Sequence, residues 1–313
     1  MKKSLFTIIC LCLTLLMACA PNYSDRQAAS DPARQSASVQ AQQDVTTDVQ
    51  QRAYVYFKEF PADNNVIKAD KLFSRMRAGE DLFIIDVRRP ADYAKSHLKG
   101  AVNLSFFDTS IPDALERIPD DKPVMVHCYT GQTGAQVTTL LNIAGKTAKN
   151  IQSGFDNGIS KTEGYAALLE QTANPLPEQA YSVSASVKDA LAVYFKDKMA
   201  LDGTPFANFN LTARTVKSIV DEKDDAYLIL SVRQADDYAK GHIPTARNIP
   251  FGKGMEAGLV MLPKDKKIVV YCYTGQTASQ TMVVLRMMGY DAYSMSGGMG
   301  AWTKEGFGVA ASK

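Results

Sequence analysis

Val124-Met125-Val126-His127-Cys128-Tyr129-Thr130-Gly131-Gln132-Thr133 runs from a short apolar strand pattern straight into a cysteine and a glycine-containing turn. The same order returns at Ile268-Val269-Val270-Tyr271-Cys272-Tyr273-Thr274-Gly275-Gln276-Thr277, where the six residues from the cysteine onward are identical. After each turn the apolar spacing becomes helical: Val137, Leu140, Leu141 and Ala144 before Gly145, and Met282, Val283, Leu285 and Met288 before Gly289. Upstream, Ile84-Ile85-Asp86-Val87-Arg88 answers to Ile229-Leu230-Ser231-Val232-Arg233, Asp92-Tyr93-Ala94-Lys95 to Asp237-Tyr238-Ala239-Lys240, and His97 to His242. The offset is 145 at the arginines and histidines and 144 at the cysteines, which is duplication of a whole domain. Tyr56-Phe57-Lys58 returns at Tyr194-Phe195-Lys196 with an offset of 138, so the second copy holds about seven more residues before its first long strand. Strand, loop and helix in repetition, with strands expected at 81–87, 124–126, 227–232 and 268–271, predict an α/β fold with parallel sheets covered on both faces.

Outside the repeats the chain divides simply. Lys2 and Lys3 precede an apolar run from Leu5 to Met17, too short to span a bilayer at about 20 residues and fitting an export signal. It ends in Leu16-Met17-Ala18-Cys19, which resembles the bacterial lipobox and implies cleavage before Cys19 with lipid on its sulfur. The expected divisions are 1–18 signal peptide, 19–51 lipidated cysteine and disordered tether, 52–171 first domain, 172–184 linker and 185–313 second domain. The tether is rich in Gln, Ala, Ser and Asp and too poor in apolar residues to offset its chain entropy. Net charge is +2 and Lys2 and Lys3 account for it, so the exported part is neutral and offers nucleic acid no basic field. Of five cysteines only Cys128 and Cys272 remain in the folded part, too few for a disulfide framework.

A cysteine at the carboxyl end of a parallel strand, just before a helix N-terminus, sits where α/β sheets bind ligands. Converging loop N–H groups and the helix terminus favour a thiolate there. Cys128 and Cys272 are therefore the candidate nucleophiles. The ordered motifs Asp86-Val87-Arg88, Asp92-Tyr93, His97, Asn103, the cysteine loop and Gly297-Gly298-Met299-Gly300-Ala301-Trp302 together resemble the rhodanese family, over roughly residues 54–310. The resemblance implies two tandem rhodanese-like domains, each a five-stranded parallel sheet with helices on both faces. It also implies transfer of sulfane sulfur through a cysteine persulfide. Substrate would be held by Tyr129, Thr130, Gly131, Gln132 and Thr133 in one loop and Tyr273, Thr274, Gly275, Gln276 and Thr277 in the other. No cofactor or metal is called for.

Related phosphatases resemble Cys-x₅-Arg, and here the sixth position after the cysteine is Gly134 or Ala278, with no guanidinium to clamp phosphate. Thiosulfate-preferring relatives often carry basic residues after the cysteine. The neutral Tyr-Thr pairs here predict weak use of thiosulfate and better use of persulfides or polysulfides. Ser231 replaces the family aspartate, and Ser153-Gly154-Phe155-Asp156-Asn157-Gly158 departs from the closing glycine–tryptophan motif. Arg88 and Arg233 are expected to pair with Asp92 and Asp237, with contact to a substrate anion as the alternative role. His97 and His242 are expected in structural turns, and His127, whose counterpart is Tyr271, is not expected to act as a base.

The sequence therefore points to an exported, lipid-anchored sulfurtransferase working between a small sulfur donor and a thiol or cyanide acceptor. Acylated Cys19 would tie it to a lipid bilayer: the outer membrane facing the periplasm in a two-membrane cell, otherwise the outer face of the cell membrane. The competing readings are a non-catalytic sulfide-sensing or docking module, and a dithiol–disulfide protein using Cys128 with Cys272.

Overall fold

The computed structural model describes residues 48–311. The signal segment, Cys19 and residues 20–47 of the expected tether lie outside them. The rest of that stretch is not tether. Residues 48–58 are helical, because Val49, Ala53, Tyr56 and Phe57 recur at helical spacing and are all buried.

The first repeat contributes β1 (Val66–Ile67), β2 (Phe83–Asp86), β3 (His97–Leu98), β4 (Ala101–Asn103), β5 (Val124–His127), β6 (Ala148–Ile151) and β7 (Leu169–Glu170). The second contributes β8 (Asn210–Leu211), β9 (Tyr227–Ser231), β10 (Arg247–Asn248), β11 (Lys267–Tyr271) and β12 (Ala292–Met295). Two five-stranded sheets result, ordered β1-β6-β5-β2-β4 and β8-β12-β11-β9-β10, so the topology is the same in both. Every pairing within them is parallel, while β3 and β7 form a separate antiparallel pair. The central strands are buried along almost their whole length, which explains apolar runs in place of alternation.

Successive residues of the first sheet feed two cores. Ile85, Val124 and Val126 pack with Val137, Leu140 and Leu141 of the helix Gln132–Ile143. Ile84 and Met125 face the other way, toward Leu72 and Phe73 of the helix Ala69–Arg77. The first of these cores continues without a break into the second repeat, through Ile268, Val270, Met282 and Leu285. Burial of one shared apolar body ties the two repeats together.

The entry helices reinforce that union by crossing over. Phe57, on the helix at 48–58, packs edge-on against Phe251 of the second repeat and accepts the N–H of Gly254. The helix Ala185–Ala200 answers with Phe195 against Phe106, and with buried Lys198 donating to the Phe106 carbonyl at 2.7 Å. Each repeat's entry helix thus packs against a loop of the other repeat. Residues 172–184 have no regular structure and are held to the first repeat by Arg117, which donates to the carbonyls of Leu176 and Pro177.

Candidate functional site

Each cysteine follows the last residue of a buried central strand, β5 or β11, and the next helix begins four residues later. So short a connection must reverse the chain at once. Gly131 and Gly275 do this with φ of +94° and +96°, a left-handed conformation that glycine adopts without cost. The turn points the Gly131 N–H at Cys128 Sγ and the Gly275 N–H at Cys272 Sγ, each at 3.0 Å. Both thiols are free, and both residues are only 2% exposed. An amide donor aimed at sulfur, ahead of a helix N-terminus, stabilises negative charge on it.

A second glycine turn supports each loop from beneath. The N–H groups of Phe155 and Asp156 donate to the carbonyls of Cys128 and Tyr129, both at 2.8 Å, and those of Met299 and Gly300 do the same for Cys272 and Tyr273. A Cβ on Gly154 would lie 2.6 Å from the Cys128 carbonyl oxygen, and one on Gly298 2.5 Å from that of Cys272. The loops keep their shape because backbone approaches backbone.

The tyrosines after the cysteines, expected to hold substrate, have their hydroxyls tied to the neighbouring helix start. Tyr129 donates to Asp92 Oδ2 and Tyr273 to Asp237 Oδ2, both at 2.6 Å, and the hydroxyls accept the N–H of Arg89 and Gln234. Burial and the neighbouring carboxylate push both tyrosines up. Hydrogen bonds from Lys95 and Tyr129 hold Asp92 below its ordinary value, and those from Tyr273 and Lys240 do the same for Asp237.

The glutamines also have work elsewhere. Gln132 reaches into the second repeat, donating to Asn210 Oδ1 at 3.0 Å and Ser294 Oγ at 3.2 Å. Gln276 reaches back, its Oε1 accepting from Asn150 Nδ2 at 3.1 Å and the Ser153 N–H at 3.2 Å. Each glutamine lies so close to the other loop's glycine that a Cβ on Gly131 would meet Gln276 Oε1 at 2.5 Å. The two cysteine loops therefore brace one another across the repeat boundary. Thr130 and Thr274 are exposed, and Thr133 and Thr277 half-buried. A cavity of about 440 Å³ opens on Cys272, lined by Tyr273, Thr274, Gln276 and Thr277 and by residues of the first repeat.

The rhodanese-like domain family matches residues 68–161 and 212–305, one match on each sheet. The chain belongs to the rhodanese-like domain family. Among its relatives is the mitochondrial protein HIGH ARSENIC CONTENT 1 of Arabidopsis thaliana, 34% identical over 90 residues, covering 25% of this chain and 53% of that protein. A sulfurtransferase of Allochromatium vinosum is 29% identical over 85 residues, covering 27% of this chain and 78% of its own. The thiosulfate:glutathione sulfurtransferase of Saccharomyces cerevisiae is 25% identical over 104 residues, covering 29% of this chain and 75% of its own.

Within the rhodanese-like repeats the arginines depart from expectation. Arg88 pairs with Asp86, not Asp92: its Nη2 lies 2.6 Å from Asp86 Oδ2 and its Nε 3.0 Å from Oδ1, with both residues buried. Two residues apart across a strand end, the fork and the carboxylate meet directly, and Phe155 covers the guanidinium with its ring 3.8 Å away. Ser231 offers no such partner, so Arg233 turns to the carbonyls of Asp237 and Gly241 and not to the Asp237 carboxylate. Both arginines donate to acceptors within their own repeat.

His97 stacks on Tyr93 at 3.6 Å with its ring nitrogens on the carbonyls of Tyr93 and Thr172. His242 repeats the stack on Tyr238. His127 is fully buried, neither ring nitrogen has a hydrogen-bond partner among the described residues, and burial pushes it down. Asn103 and its second-repeat equivalent Asn248 each bridge two carbonyls at the end of β2 or β9.

Proposed function

We propose that this protein is an exported, lipid-anchored sulfurtransferase in which Cys128 and Cys272 each carry sulfane sulfur as a persulfide. The observation that supports it most is the amide held 3.0 Å from each sulfur by a left-handed glycine, built alike in both repeats. In the first step the cysteine thiolate attacks the outer sulfur of a donor R–S–SH. The new S–S bond forms on the enzyme as the old one breaks, and the electron pair leaves with R–S⁻. In the second, an acceptor thiolate or cyanide takes the outer sulfur and returns the cysteine thiolate. The Gly131 or Gly275 amide holds charge on sulfur through both steps, as an oxyanion hole does for oxygen. A docking or sensing module would not need this sulfur-centred geometry, still less twice. Acylation of Cys19 would place both sites at the surface of a cell-envelope membrane.

Turnover tests the reading. Cys128→Ser and Cys272→Ser should each remove part of the transfer to thiol or cyanide, and the double variant nearly all. Full turnover by the double variant would overturn it. Cys19→Ser should release the protein from membranes, and a variant that stays lipid-labelled would refute the anchor.

A further inference from the structure

The cavity over Cys272 is a composite of the two repeats. Besides the cysteine loop it is lined by Asp63, Asn64, Val66, Lys68 and Gln152, all from the first repeat. Lys68 follows β1 and immediately precedes the helix Ala69–Arg77, with its side chain exposed. It forms no ion pair among the described residues. The other charged residue of the lining, Asp63, is already paired with Lys149 and accepts the N–H of Asn65. One uncompensated cation therefore faces the same space as Cys272.

Its position is fixed by the brace between the loops. β1 pairs with β6, placing Val66 opposite Asn150, and Asn150 is the residue that donates to Gln276. Gln280 also donates to the Asn64 carbonyl, as Gln136 does in return to that of Asn208. Asn64 and Asn208 share left-handed φ values of 58° and 60°, which confirms that these segments are repeat equivalents. The equivalents of the five first-repeat residues are Ala207, Asn208, Asn210, Thr212 and Ser296, none of them charged. Where one repeat offers Lys68, the other offers Thr212.

We propose that Lys68 is the anion-recognising residue of the Cys272 site, so that Cys272 accepts a dianionic sulfur donor, one whose sulfur is carried on a sulfonate group, while Cys128 discriminates against one. This rests on the sulfurtransferase reading above. Thiosulfate is the simplest such donor. Cys272 thiolate attacks its outer sulfur, the S–S bond to the sulfonate breaks, and sulfite leaves with the electron pair, conserving three negative charges. Lys68 lines the cavity that this charge would occupy. The weak use of thiosulfate expected from the neutral Tyr-Thr pairs then applies to Cys128, because at Cys272 the missing cation comes from the other repeat.

The test compares kcat/KM for persulfide formation from thiosulfate and from the persulfide of 2-mercaptoethanol, in full-length Cys128→Ser and Cys272→Ser proteins. With only Cys272 present, Lys68→Gln should lower the thiosulfate-to-persulfide ratio about ten-fold, the loss of one charge-assisted contact, and Lys68→Arg should retain it. With only Cys128 present, Thr212→Lys should raise the ratio. A ratio unmoved by Lys68→Gln would overturn the assignment while leaving the sulfurtransferase reading intact. Equal loss with both donors would likewise overturn it as a specificity role. Failure of both donors to load either cysteine would overturn both readings.

Discussion

Trp302 and Gly158 occupy equivalent places after the two cysteine loops, and they could hardly differ more. In the second repeat the helix Gly298–Lys304 carries Trp302, fully buried and donating its Nε1–H to the Gly308 carbonyl at 3.1 Å. In the first repeat the chain from Gly154 to Gly158 is wound as a wider π turn, and Gly158 lies so close to the Gln152 carbonyl that a Cβ would stand 2.2 Å away. A large side chain fills the space in one case and the backbone itself in the other. Yet both segments deliver the same two amides to the carbonyls of the cysteine loop. What the two copies hold in common is the backbone beneath the sulfur, and the packing behind it has drifted.

Adjacent positions have drifted in compensating pairs. Asn150 in the first repeat stands opposite Gly134, where a Cβ would lie 2.6 Å from its Oδ1. At the equivalent positions the second repeat has the smaller Ser294 and the larger Ala278.

If backbone approach is the shared constraint, Gly154→Ala and Gly298→Ala should be the most damaging small changes. A methyl group at either would strike the cysteine carbonyl and hold alanine in a left-handed conformation, costing about 2–4 kcal/mol. Denaturant unfolding would measure this, and near-wild-type midpoints would break the comparison. Next in size are the glutamines. Gln132→Ala and Gln276→Ala each leave buried polar partners unmatched across the repeat boundary, for a loss of about 1–3 kcal/mol. Because the brace is reciprocal, the double variant should depart from additivity in a double-mutant cycle.

His127 and Tyr271 offer a pH test of the same comparison. Tyr271 is buried with its hydroxyl accepting the Ile243 N–H, whereas burial holds the His127 imidazole below the ordinary 6.5. The unfolded chain therefore takes up the proton first. Stability from this group is complete above about pH 6.5 and falls below it by at most about 1.4 kcal/mol per unit. His127→Phe should flatten the decline between pH 6.5 and 5, and a slope equal to wild type would show that another group sets it. The smallest effect is expected at Ser153, which has φ +61° where the second repeat has Gly297. Ser153→Gly should stabilise by about 1 kcal/mol, seen as a modest rise in Tm.

The sequence made the long central strands legible, because runs such as Ile84-Ile85 and Ile268-Val269-Val270 need no tertiary information to be read as buried. The cysteine loops were legible because an identical hexapeptide recurred. β1 and β8, two residues each, were not, since only pairing at a sheet edge defines them. The partner of Arg88 was misread because Asp92 lies at an attractive spacing, while the actual partner, Asp86, looks like a strand residue. The cross-repeat roles of Gln132, Gln276 and Lys68, and the exchange of entry helices, depend on how one repeat meets the other. A repeat read in isolation carries no signal for them.

The central claim, that both repeats carry sulfur on their cysteines, is tested most directly by intact-mass measurement after incubation with the persulfide of 2-mercaptoethanol. Wild type should gain up to two sulfur atoms that dithiothreitol removes, Cys128→Ser and Cys272→Ser up to one each, and the double variant none. Sulfur addition that persists in the double variant, or none in the wild type, would contradict it.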